Sequence, residues 1–291
     1  MPALVRTAHD FRRACQEARV DGPLALVPTM GYLHEGHASL IRAAAQRAPT
    51  VAATIFVNPT QFGPNEDLAK YPRDLDGDLA RCEAAGASFV FAPDDPAEIY
   101  PAGFQTWIEP GALAAPLCGA RRPGHFRGVC TVVAKLFTLS RADAAFFGEK
   151  DFQQLAVIKR MAIDLNLDTE VIGRPIVREP DGVAMSSRNA YLGAEERARA
   201  TALWMALGAV RLRFAQGVRE VTQLEALAAQ TLEESGLRVD YVELREPAEL
   251  SRPALADPAT RLFLAAFLGK TRLIDNGALG EASGLSAQDT R

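Results

Sequence analysis

The chain has 291 residues, a formal net charge of −4 at pH 7, 48% apolar residues and 23% charged residues. This length predicts one large or two ordinary domains, and the composition is typical of a globular protein that buries a sizeable core. The slightly negative charge argues against a protein that binds nucleic acid or an anionic membrane surface.

The cysteines and the first residues indicate the cellular compartment. No two of the four cysteines form a C-x-x-C pair, which argues against a disulfide framework or a structural zinc site and predicts a cytoplasmic location. The segment MPALVRTAHDFRR contains no apolar run, so we expect no secretory signal. The longest apolar run near the end, 262–268, is too short to cross a bilayer.

The first part of the chain alternates short apolar segments with segments of helical periodicity. Strands are predicted at 24–27, 51–57, 88–92, 144–147 and 169–172, and helices at 36–47, 75–85 and 152–165. Periodicity does not decide whether 129–139 is a helix or a continuous buried segment. Repeated strand–helix units predict an α/β domain, a parallel sheet covered by helices on both faces.

The pattern changes near residues 175–181. Helices are then predicted at 194–216 and 221–235, and strands at 240–244, 262–267 and 272–275. This α+β pattern indicates a second, smaller domain. We expect an N-terminal domain at 1–176, a C-terminal domain at 177–283 and a disordered tail at 284–291.

The segment PTMGYLHEGH, residues 28–37, follows the first predicted strand and opens a helix. Ligands of a doubly wound sheet bind beyond the carboxyl ends of its strands, and the N–H groups of a new helix favour phosphate. His34 and His37 are three residues apart and share one side of the first helical turn. An isolated H-x-x-H is more often an ordinary structural pair, and nothing nearby completes a zinc site. In this position, however, H-x-G-H resembles the signature of nucleotidyltransferases, which attack the α-phosphorus of a nucleotide and release pyrophosphate.

Three further segments carry candidate functional side chains. Asn58 and Gln61 are amides at the end of the second strand, although Asn-Pro is also a common strand stop. Lys150 can bind phosphate as a point charge, whereas Asp151 beside it can act as an ordinary helix N-cap. The segment AMSSRN, 184–189, suits a polyphosphate through two hydroxyls and a guanidinium, or alternatively caps a helix.

Together these segments resemble the pantothenate synthetase family. The matching stretches are PTMGYLHEGH, IFVNPTQFG, YPRDLDGDL, RPGHFRGVCTVV, FFGEKDFQQL and PIVREPDGVAMSSRNAYL. The resemblance implies a homodimer whose subunits have a Rossmann-type, doubly wound N-terminal domain and a smaller α+β lid. It also implies ligation of pantoate to β-alanine through a pantoyl-adenylate, with ATP and Mg²⁺ and release of pyrophosphate and then AMP. The implied partners are these small molecules, without nucleic acid or membrane.

The resemblance also assigns residues to roles. His37 is the implied proton donor, with His34 and Lys150 acting on the phosphates. Gln61 and Gln154 would hold pantoate, and Gln61 would also contact β-alanine, because the two acceptors use one pocket in turn. The residues implied to bind ATP are Met30, Gly31, Tyr32, Leu33, His34, Glu35, Gly36, His37, Gly148, Glu149, Lys150, Asp151, Val177, Met185, Ser186, Ser187 and Arg188.

Two departures from the family pattern affect these assignments. Thr60 stands where the family usually has Met, which should trim the apolar wall beside pantoate and leave the amides in place. Gly77 interrupts the acidic run in which family members carry a magnesium-associated acid, so Asp76 and Asp78 are both candidates.

Two alternatives remain open at this point. A different nucleotidyltransferase, loading phosphopantetheine or a nicotinamide nucleotide, would use the same H-x-G-H turn but would not need the paired amides. A nucleotide-binding regulatory module of the same fold would bind ATP without turnover. Pantoate-dependent exchange of pyrophosphate into ATP separates both alternatives from the ligase.

Overall fold

The computed structural model describes residues 2–64 and 66–281, and the chain divides into two compact units, Met1–Pro175 and Ile176–Arg291. The predicted disordered tail, 284–291, lies outside the described residues. Among the described residues, no helix is both long enough and apolar enough to cross a membrane.

The first unit is built on a parallel sheet of six strands in the order β1-β4-β3-β2-β5-β6. These strands are β1 (Ala3–Val5), β2 (Leu24–Thr29), β3 (Thr50–Ile55), β4 (Phe89–Phe91), β5 (Ala144–Gly148) and β6 (Glu170–Arg174). The helices of this unit are α1 (Ala8–Ala18), α2 (Glu35–Arg47), α3 (Leu75–Ala85), α4 (Cys118–Arg121), α5 (His125–Ser140) and α6 (Phe152–Asp164).

Helices cover both faces of this sheet, because successive strand residues point to opposite sides. In β2, Leu24 and Leu26 pack into the core formed with α1, α5 and α6, whereas Ala25 and Val27 pack against α2 and α3. All four side chains are fully buried, which explains the continuous apolar run in the sequence. The predicted α/β, Rossmann-type doubly wound fold is confirmed.

The order of the strands places a topological switch point between β2 and β5. The chain leaves β2 through α2 and reaches β3 on one side, while β5 pairs with β2 on the other side. The carboxyl ends of β2, β3 and β5 therefore lie at one edge of the sheet, where doubly wound proteins bind ligands.

Three local features differ from the sequence predictions. The strand predicted at 24–27 continues to Thr29. Pro28 is tolerated in it because β5 pairs with β2 only at Ala25 and Leu26, which leaves the missing N–H of Pro28 without consequence. The segment 129–139, left open between helix and strand, belongs to α5. The elements β1 and α1 were not predicted, although Thr7 caps α1 by accepting the N–H of Asp10.

The second unit has an α+β architecture, as predicted. Its strands form an antiparallel sheet in the order β7-β8-β9, and its helices pack on that sheet. The elements are α7 (Ala194–Arg199), α8 (Ala202–Ala215), α9 (Val221–Glu234), β7 (Arg238–Arg245), β8 (Arg261–Leu268) and β9 (Thr271–Ala278). Short 3₁₀ helices occur in both units at Pro59–Gln61, Leu68–Lys70, Pro96–Glu98, Ala112–Ala114, Glu149–Asp151 and Ser187–Tyr191.

The single helix predicted at 194–216 is divided into α7 and α8. The hydroxyl of Thr201 donates to the carbonyl of Ala198 at 2.8 Å. In a continuous helix that carbonyl would accept the N–H of Ala202, so the side chain competes with the helical ladder at this point.

Candidate active site

The turn after β2 is a tight reversal at Gly31 and Tyr32. Both residues have a positive φ, 83° for Gly31 and 51° for Tyr32. The hydroxyl of Thr29 donates to the carbonyl of Thr54 at 2.6 Å and accepts the N–H of Gly31 at 3.2 Å. A Cβ on Gly31 would lie 2.9 Å from Cγ2 of Ile55, so a side chain at this position does not fit beside β3. The turn is thereby held close to the carboxyl edge of the sheet.

The carboxylate of Asp78, on α3, binds the same turn. Its Oδ2 accepts the N–H of Tyr32 at 2.8 Å, and its Oδ1 accepts the N–H of Leu33 at 2.6 Å. Burial raises the pKa of Asp78, while the two backbone N–H groups lower it. These bonds stabilise the left-handed conformation of Tyr32, which costs a non-glycine residue roughly 1–2 kcal/mol.

His34 and His37 lie at the first turn of α2. His34 is the N-cap, and its Nδ1 accepts the N–H of Gly36 at 3.1 Å, while Nδ1 of His37 accepts the N–H of His34 at 3.3 Å. Because a backbone N–H can only donate, both Nδ1 atoms carry a lone pair and each ring has its proton on Nε2. The ring centroids are 4.1 Å apart, so two Nε2–H donors lie next to each other.

The surroundings of His37 keep its ring neutral. Burial lowers the pKa of His37 well below its usual range, and the positive charges of His34 in its protonated form and of Lys150 act in the same direction. Lys150 lies in the 3₁₀ turn directly after β5, with its Nζ 3.9 Å from Oδ2 of Asp151. The structure therefore brings both predicted histidines and the predicted lysine to one edge of the sheet, with Lys150 as the cation and His37 as a neutral donor.

The other predicted residues of these two turns have different environments. Leu33 is buried, whereas Glu35 is exposed and forms an ion pair with Arg42. Gly148 ends β5, and a Cβ there would meet no atom within 4 Å. The space beside Gly148 is thus open.

Gln61 lies in the 3₁₀ turn after β3, within a group of buried polar side chains. Its Oε1 accepts a hydrogen bond from Nδ2 of Asn58 at 3.1 Å, and its Nε2 lies 2.9 Å from Sδ of Met30. Met30 begins the turn after β2, so this contact joins the ends of two neighbouring strands. The predicted pantoate amide therefore lies next to the predicted nucleotide-binding turn.

The backbone carbonyl of Gln61 is held by residues at the start of α5. Arg122 donates to Nε2 of His125 at 3.0 Å, which leaves the ring proton on Nδ1, 2.9 Å from that carbonyl. Burial is the main cause that lowers the pKa of His125 to about 4, so the ring is neutral. Arg122 also lies 3.3 Å from the same carbonyl and forms an ion pair with Glu66 at 2.5 Å. Two donors thus fix the position of Gln61.

Gly128 allows α5 to pack directly against the same 3₁₀ turn. A Cβ at this position would lie 2.4 Å from the carbonyl oxygen of Thr60 and 2.8 Å from the nitrogen of Gln61. The carbonyl of Gly128 accepts Nδ2 of Asn58 at 3.2 Å. A larger residue at 128 would displace the turn that carries the amides.

The structure distinguishes the two neighbouring glutamines of α6. Gln153 is buried, its Oε1 accepts the N–H of Cys118 at 3.0 Å, and its Nε2 donates to the carbonyls of Leu113 and Pro116 at 3.0 and 2.7 Å. The side chain of Gln154 is half-buried and makes no hydrogen bond to the described residues. Of the two glutamines, Gln154, the predicted pantoate residue, is therefore the one whose amide makes no hydrogen bond to the described residues.

The remaining predicted ATP residues belong to the second unit and lie near one another there. The N–H of Met185 donates to the carbonyl of Val177 at 3.0 Å. Ser186 caps the 3₁₀ helix Ser187–Tyr191, its hydroxyl accepting the N–H of Arg188 at 3.3 Å. Ser187 is buried, and Arg188 is half-buried. Residues 185–188 thus form one continuous segment with hydroxyl and guanidinium groups, and Val177 is joined to it by a backbone hydrogen bond.

The amino-acid sequence matches a family model described as pantoate-beta-alanine ligase over residues 3–278. The chain belongs to the pantoate-beta-alanine ligase family. It is 55% identical to the pantothenate synthetase of Myxococcus xanthus, with 96% of this chain and 97% of that protein covered. The Anaeromyxobacter dehalogenans pantothenate synthetase is also 55% identical, over 96% of this chain and 99% of that protein.

Solved structures of this family have the same fold. The pantothenate synthetase of Thermus thermophilus is 43% identical, with a TM-score of 0.90 and coverage of 95% of this chain and 99% of that one. A pantoate-beta-alanine ligase of Francisella tularensis, complexed with beta-gamma ATP and beta-alanine, is 31% identical with a TM-score of 0.81, over 98% and 100% of the two chains. The predicted family membership is confirmed, and the chain is an enzyme of the ligase class.

The sequence did not reveal several residues that position this candidate site. Asp78 was considered only as a metal candidate. Arg122, His125 and Tyr100, whose hydroxyl donates to Oδ1 of Asn58 at 2.9 Å, had no assigned role. His125 and Gln61 are 64 residues apart, so no periodicity connects them. The quoted segment RPGHFRGV contained the only available signal, a histidine and an arginine beside glycines that permit close packing.

Proposed function

We propose that this chain joins (R)-pantoate to β-alanine with ATP, through an enzyme-bound pantoyl-adenylate. The observation that supports this most is the pair of Nε2–H imidazoles at the N-terminus of α2, with the cation Lys150 beside them. Hydrogen-bond donors and a fixed positive charge at a helix N-terminus suit the phosphates of a nucleotide. The bound molecules of the Francisella tularensis relative, beta-gamma ATP and beta-alanine, have the chemistry that this proposal needs.

The triphosphate would bind at the turn after β2. The backbone from Met30 to His37 approaches the ligand there, and Gly148 through Asp151 contact it from the end of β5. His34, His37 and Lys150 then stabilise negative charge that develops on the phosphates, without a proton leaving either ring. One such donor is worth about 10²–10³ in rate.

The acid would bind beside the nucleotide, between the ends of β2 and β3. Gln61 and Gln154 supply amide hydrogen bonds to the hydroxyl and carboxylate oxygens of pantoate. The pantoate carboxylate attacks the α-phosphorus in line, and pyrophosphate leaves. Positioning of the two reactants lowers the barrier in this step, together with charge stabilisation.

The second half-reaction would use the same pocket. β-Alanine takes the place beside Gln61, its neutral amine attacks the acyl carbon of the adenylate, and AMP leaves as the C–N bond forms. Exclusion of water protects the adenylate from hydrolysis between the two steps.

Mg²⁺ would accompany ATP, because it binds phosphates while keeping several waters. Both carboxylate oxygens of Asp78 already accept backbone N–H groups, and Asp76 is exposed on the first turn of α3. Within 2–64 and 66–281, no three His, Cys, Asp or Glu side chains form a group suited to a metal ion. Within the described residues no all-protein magnesium site is thus present. Asp76 or Asp78 as an acid associated with phosphate-bound Mg²⁺ stays a prediction, and no step above depends on it.

The second unit would contribute the segment Met185–Arg188 to the phosphates and Val177 to adenine. Its two hydroxyls and one guanidinium match the needs of a departing pyrophosphate. We further propose that the enzyme works as a cytoplasmic homodimer. Analytical ultracentrifugation, which measures the mass of the particle in solution, would test dimer formation.

The acyl-adenylate can be tested by isotope transfer. Pantoate labelled with ¹⁸O in its carboxylate is incubated with ATP, β-alanine and the enzyme, and AMP is analysed by mass spectrometry. The proposal predicts one ¹⁸O atom in each AMP, because the carboxylate oxygen that attacked phosphorus leaves with it. AMP without label would exclude the adenylate, and no AMP at all would favour a nucleotide-binding module without turnover.

A further inference from the structure

Asn58 lies at the centre of the polar group beside Gln61 and is 1% exposed. Three donor groups surround its Oδ1: the N–H of Thr60 at 3.3 Å, Oγ1 of Thr60 at 2.9 Å and Oη of Tyr100 at 2.9 Å. Its Nδ2 faces two acceptors, the carbonyl of Gly128 at 3.2 Å and Oε1 of Gln61 at 3.1 Å. All the hydrogen-bonding capacity of this buried amide is therefore directed at neighbours.

The orientation of the Asn58 amide is set by backbone groups whose roles cannot change. The N–H of Thr60 can only donate, and the carbonyl of Gly128 can only accept. If the amide were rotated by 180°, its NH₂ group would face the N–H of Thr60, a donor against a donor. Its oxygen would then face the carbonyl of Gly128, an acceptor against an acceptor. Oδ1 of Asn58 therefore faces Thr60, and Nδ2 faces Gly128 and Gln61.

This orientation determines which atom of Gln61 a ligand meets. Because Nδ2 of Asn58 can only donate, Gln61 turns its Oε1 toward it. Nε2 of Gln61 is then directed to the side of Met30, whose thioether sulfur is a weak acceptor. An oxygen of a carboxylate or a hydroxyl is a stronger acceptor and can replace that contact.

The hydroxyls of Thr60 and Tyr100 reinforce the arrangement jointly. The two hydroxyl oxygens lie 3.0 Å apart, and each lies 2.9 Å from Oδ1 of Asn58. These three oxygen–oxygen contacts share only two hydroxyl protons. At least one proton therefore goes to Oδ1. If either hydroxyl is removed, the other still reaches this oxygen, and only the loss of both leaves it with the longer bond from the N–H of Thr60.

We propose that Thr60 and Tyr100 are positioning residues that act through Asn58 to present Nε2 of Gln61, a donor, to an acceptor oxygen of the acid substrate. This inference rests on the proposed function, in which that acid is pantoate. The hydroxyl of Thr60 would then have a role of its own, in addition to the smaller apolar wall expected from Thr in place of the family Met.

The test is a double-mutant cycle with Thr60→Val and Tyr100→Phe, read by pantoate-dependent exchange of pyrophosphate into ATP. Each single variant should raise the KM for pantoate about 3-fold and the double variant roughly 30-fold, more than the product of the two, with the KM for ATP unchanged. Thr60→Ser, which keeps the hydroxyl, should restore the wild-type KM. Thr169→Val is the matched control, since it removes a buried hydroxyl bonded to the carbonyl of Ala142 at 2.8 Å, far in sequence from these turns.

The outcomes separate this inference from the proposed function. Wild-type enzyme without pantoate-dependent exchange would contradict the proposed function itself. Wild-type exchange together with an unchanged pantoate KM in the double variant would overturn only the positioning role. The role is likewise overturned if the KM values for ATP and pantoate rise in parallel in Thr60→Val and Tyr100→Phe. If the double variant does not fold, as judged by circular dichroism, the comparison of Thr60→Val with Thr60→Ser decides the matter.

Discussion

Asp78 accepts the backbone N–H of Leu33 at 2.6 Å, although the two residues are 45 positions apart in the chain. The second oxygen of the same carboxylate accepts the N–H of Tyr32. An acidic side chain on α3 thus shapes the turn that precedes the histidine pair. If a nucleotide binds at this turn as proposed, we expect its binding to depend on Asp78, which shapes the turn through backbone hydrogen bonds.

The variant Asp78→Asn tests this role. The amide oxygen of Asn could accept a hydrogen bond from only one of the N–H groups of Tyr32 and Leu33, and its NH₂ group would face the other donor. We therefore expect the free energy of unfolding to fall by about 1–3 kcal/mol. The KM for ATP should rise in parallel. Urea unfolding and exchange kinetics measure the two effects, with the exposed Asp76→Asn as the control. If Asp76→Asn raised the KM for ATP and Asp78→Asn did not, the role of Asp78 as turn anchor would be refuted.

His37 should be neutral, with its proton on Nε2, throughout the working pH range. Burial and the nearby charges of His34 and Lys150 lower its pKa, so no protonation step of His37 is expected near pH 6.5. ¹⁵N NMR of histidine-labelled enzyme distinguishes the Nε2–H tautomer from the cation directly. A titration of His37 centred between pH 6 and 7 would contradict the account.

His37→Ala and Lys150→Ala should each lower the rate of adenylate formation by about 10²–10³-fold. The melting temperature of Lys150→Ala should stay close to that of the wild type. His37→Ala also loses the hydrogen bond from the N–H of His34 at the start of α2, so it should melt at a slightly lower temperature. His9→Ala is the matched control, since this histidine lies on α1, outside the two turns of the site. Full pyrophosphate exchange in either active-site variant would show that its role has been assigned wrongly.

The fold could largely be predicted because its strands are buried on both faces. The runs at β2, β3 and β5 are mostly apolar, so length and flanking turns were enough to locate them. The short edge strand β1 gives no such signal, since two of its three residues are exposed. The histidine turn could also be predicted, because its glycines and its two histidines lie within one short segment of the sequence, residues 30–37.

The groups that position the site could not be predicted in this way. Asp78 on α3, His125 on α5 and Tyr100 after the 3₁₀ helix Pro96–Glu98 act across the fold, through contacts that only the packing of these elements creates. Neither spacing nor residue type indicates such a contact. The orientation of the Gln61 amide could not be predicted either, because it follows from the hydrogen bonds of Asn58 and not from any local sequence pattern.

His125 should make the stability of the protein depend on pH on the acidic side. Its pKa is about 4 in the fold against an ordinary value of 6.5, so the unfolded chain binds a proton that the folded chain does not between these values. Stability is fully present above pH 6.5 and is lost as the pH falls toward 4, by about 3 kcal/mol, since a pKa difference of one corresponds to about 1.4 kcal/mol.

The variant His125→Gln isolates this contribution. The difference in unfolding free energy between the wild type and this variant should shrink as the pH is lowered from 7 to 4.5, as measured by urea unfolding. A difference that is constant with pH would mean that His125 is not buried as a neutral ring.

Gly128→Ala should disturb the amide turn through packing alone. The added methyl group would lie 2.4 Å from the carbonyl oxygen of Thr60, so α5 and the turn must separate. We expect a loss of about 1–3 kcal/mol in stability and a raised KM for pantoate. Gly193→Ala provides the control, because its Cβ would meet only Oε2 of Glu196 at 4.0 Å. Equal pantoate KM values in the two variants would contradict the close packing described for Gly128.

The most direct test of the central claim is the exchange of labelled pyrophosphate into ATP, measured with and without pantoate and in the absence of β-alanine. If the turn after β2 holds ATP for attack by a bound acid, exchange should appear only when pantoate is present and should fall by about 10²-fold or more in His37→Ala. Exchange that proceeds equally without pantoate, or that is insensitive to His37, would contradict the account.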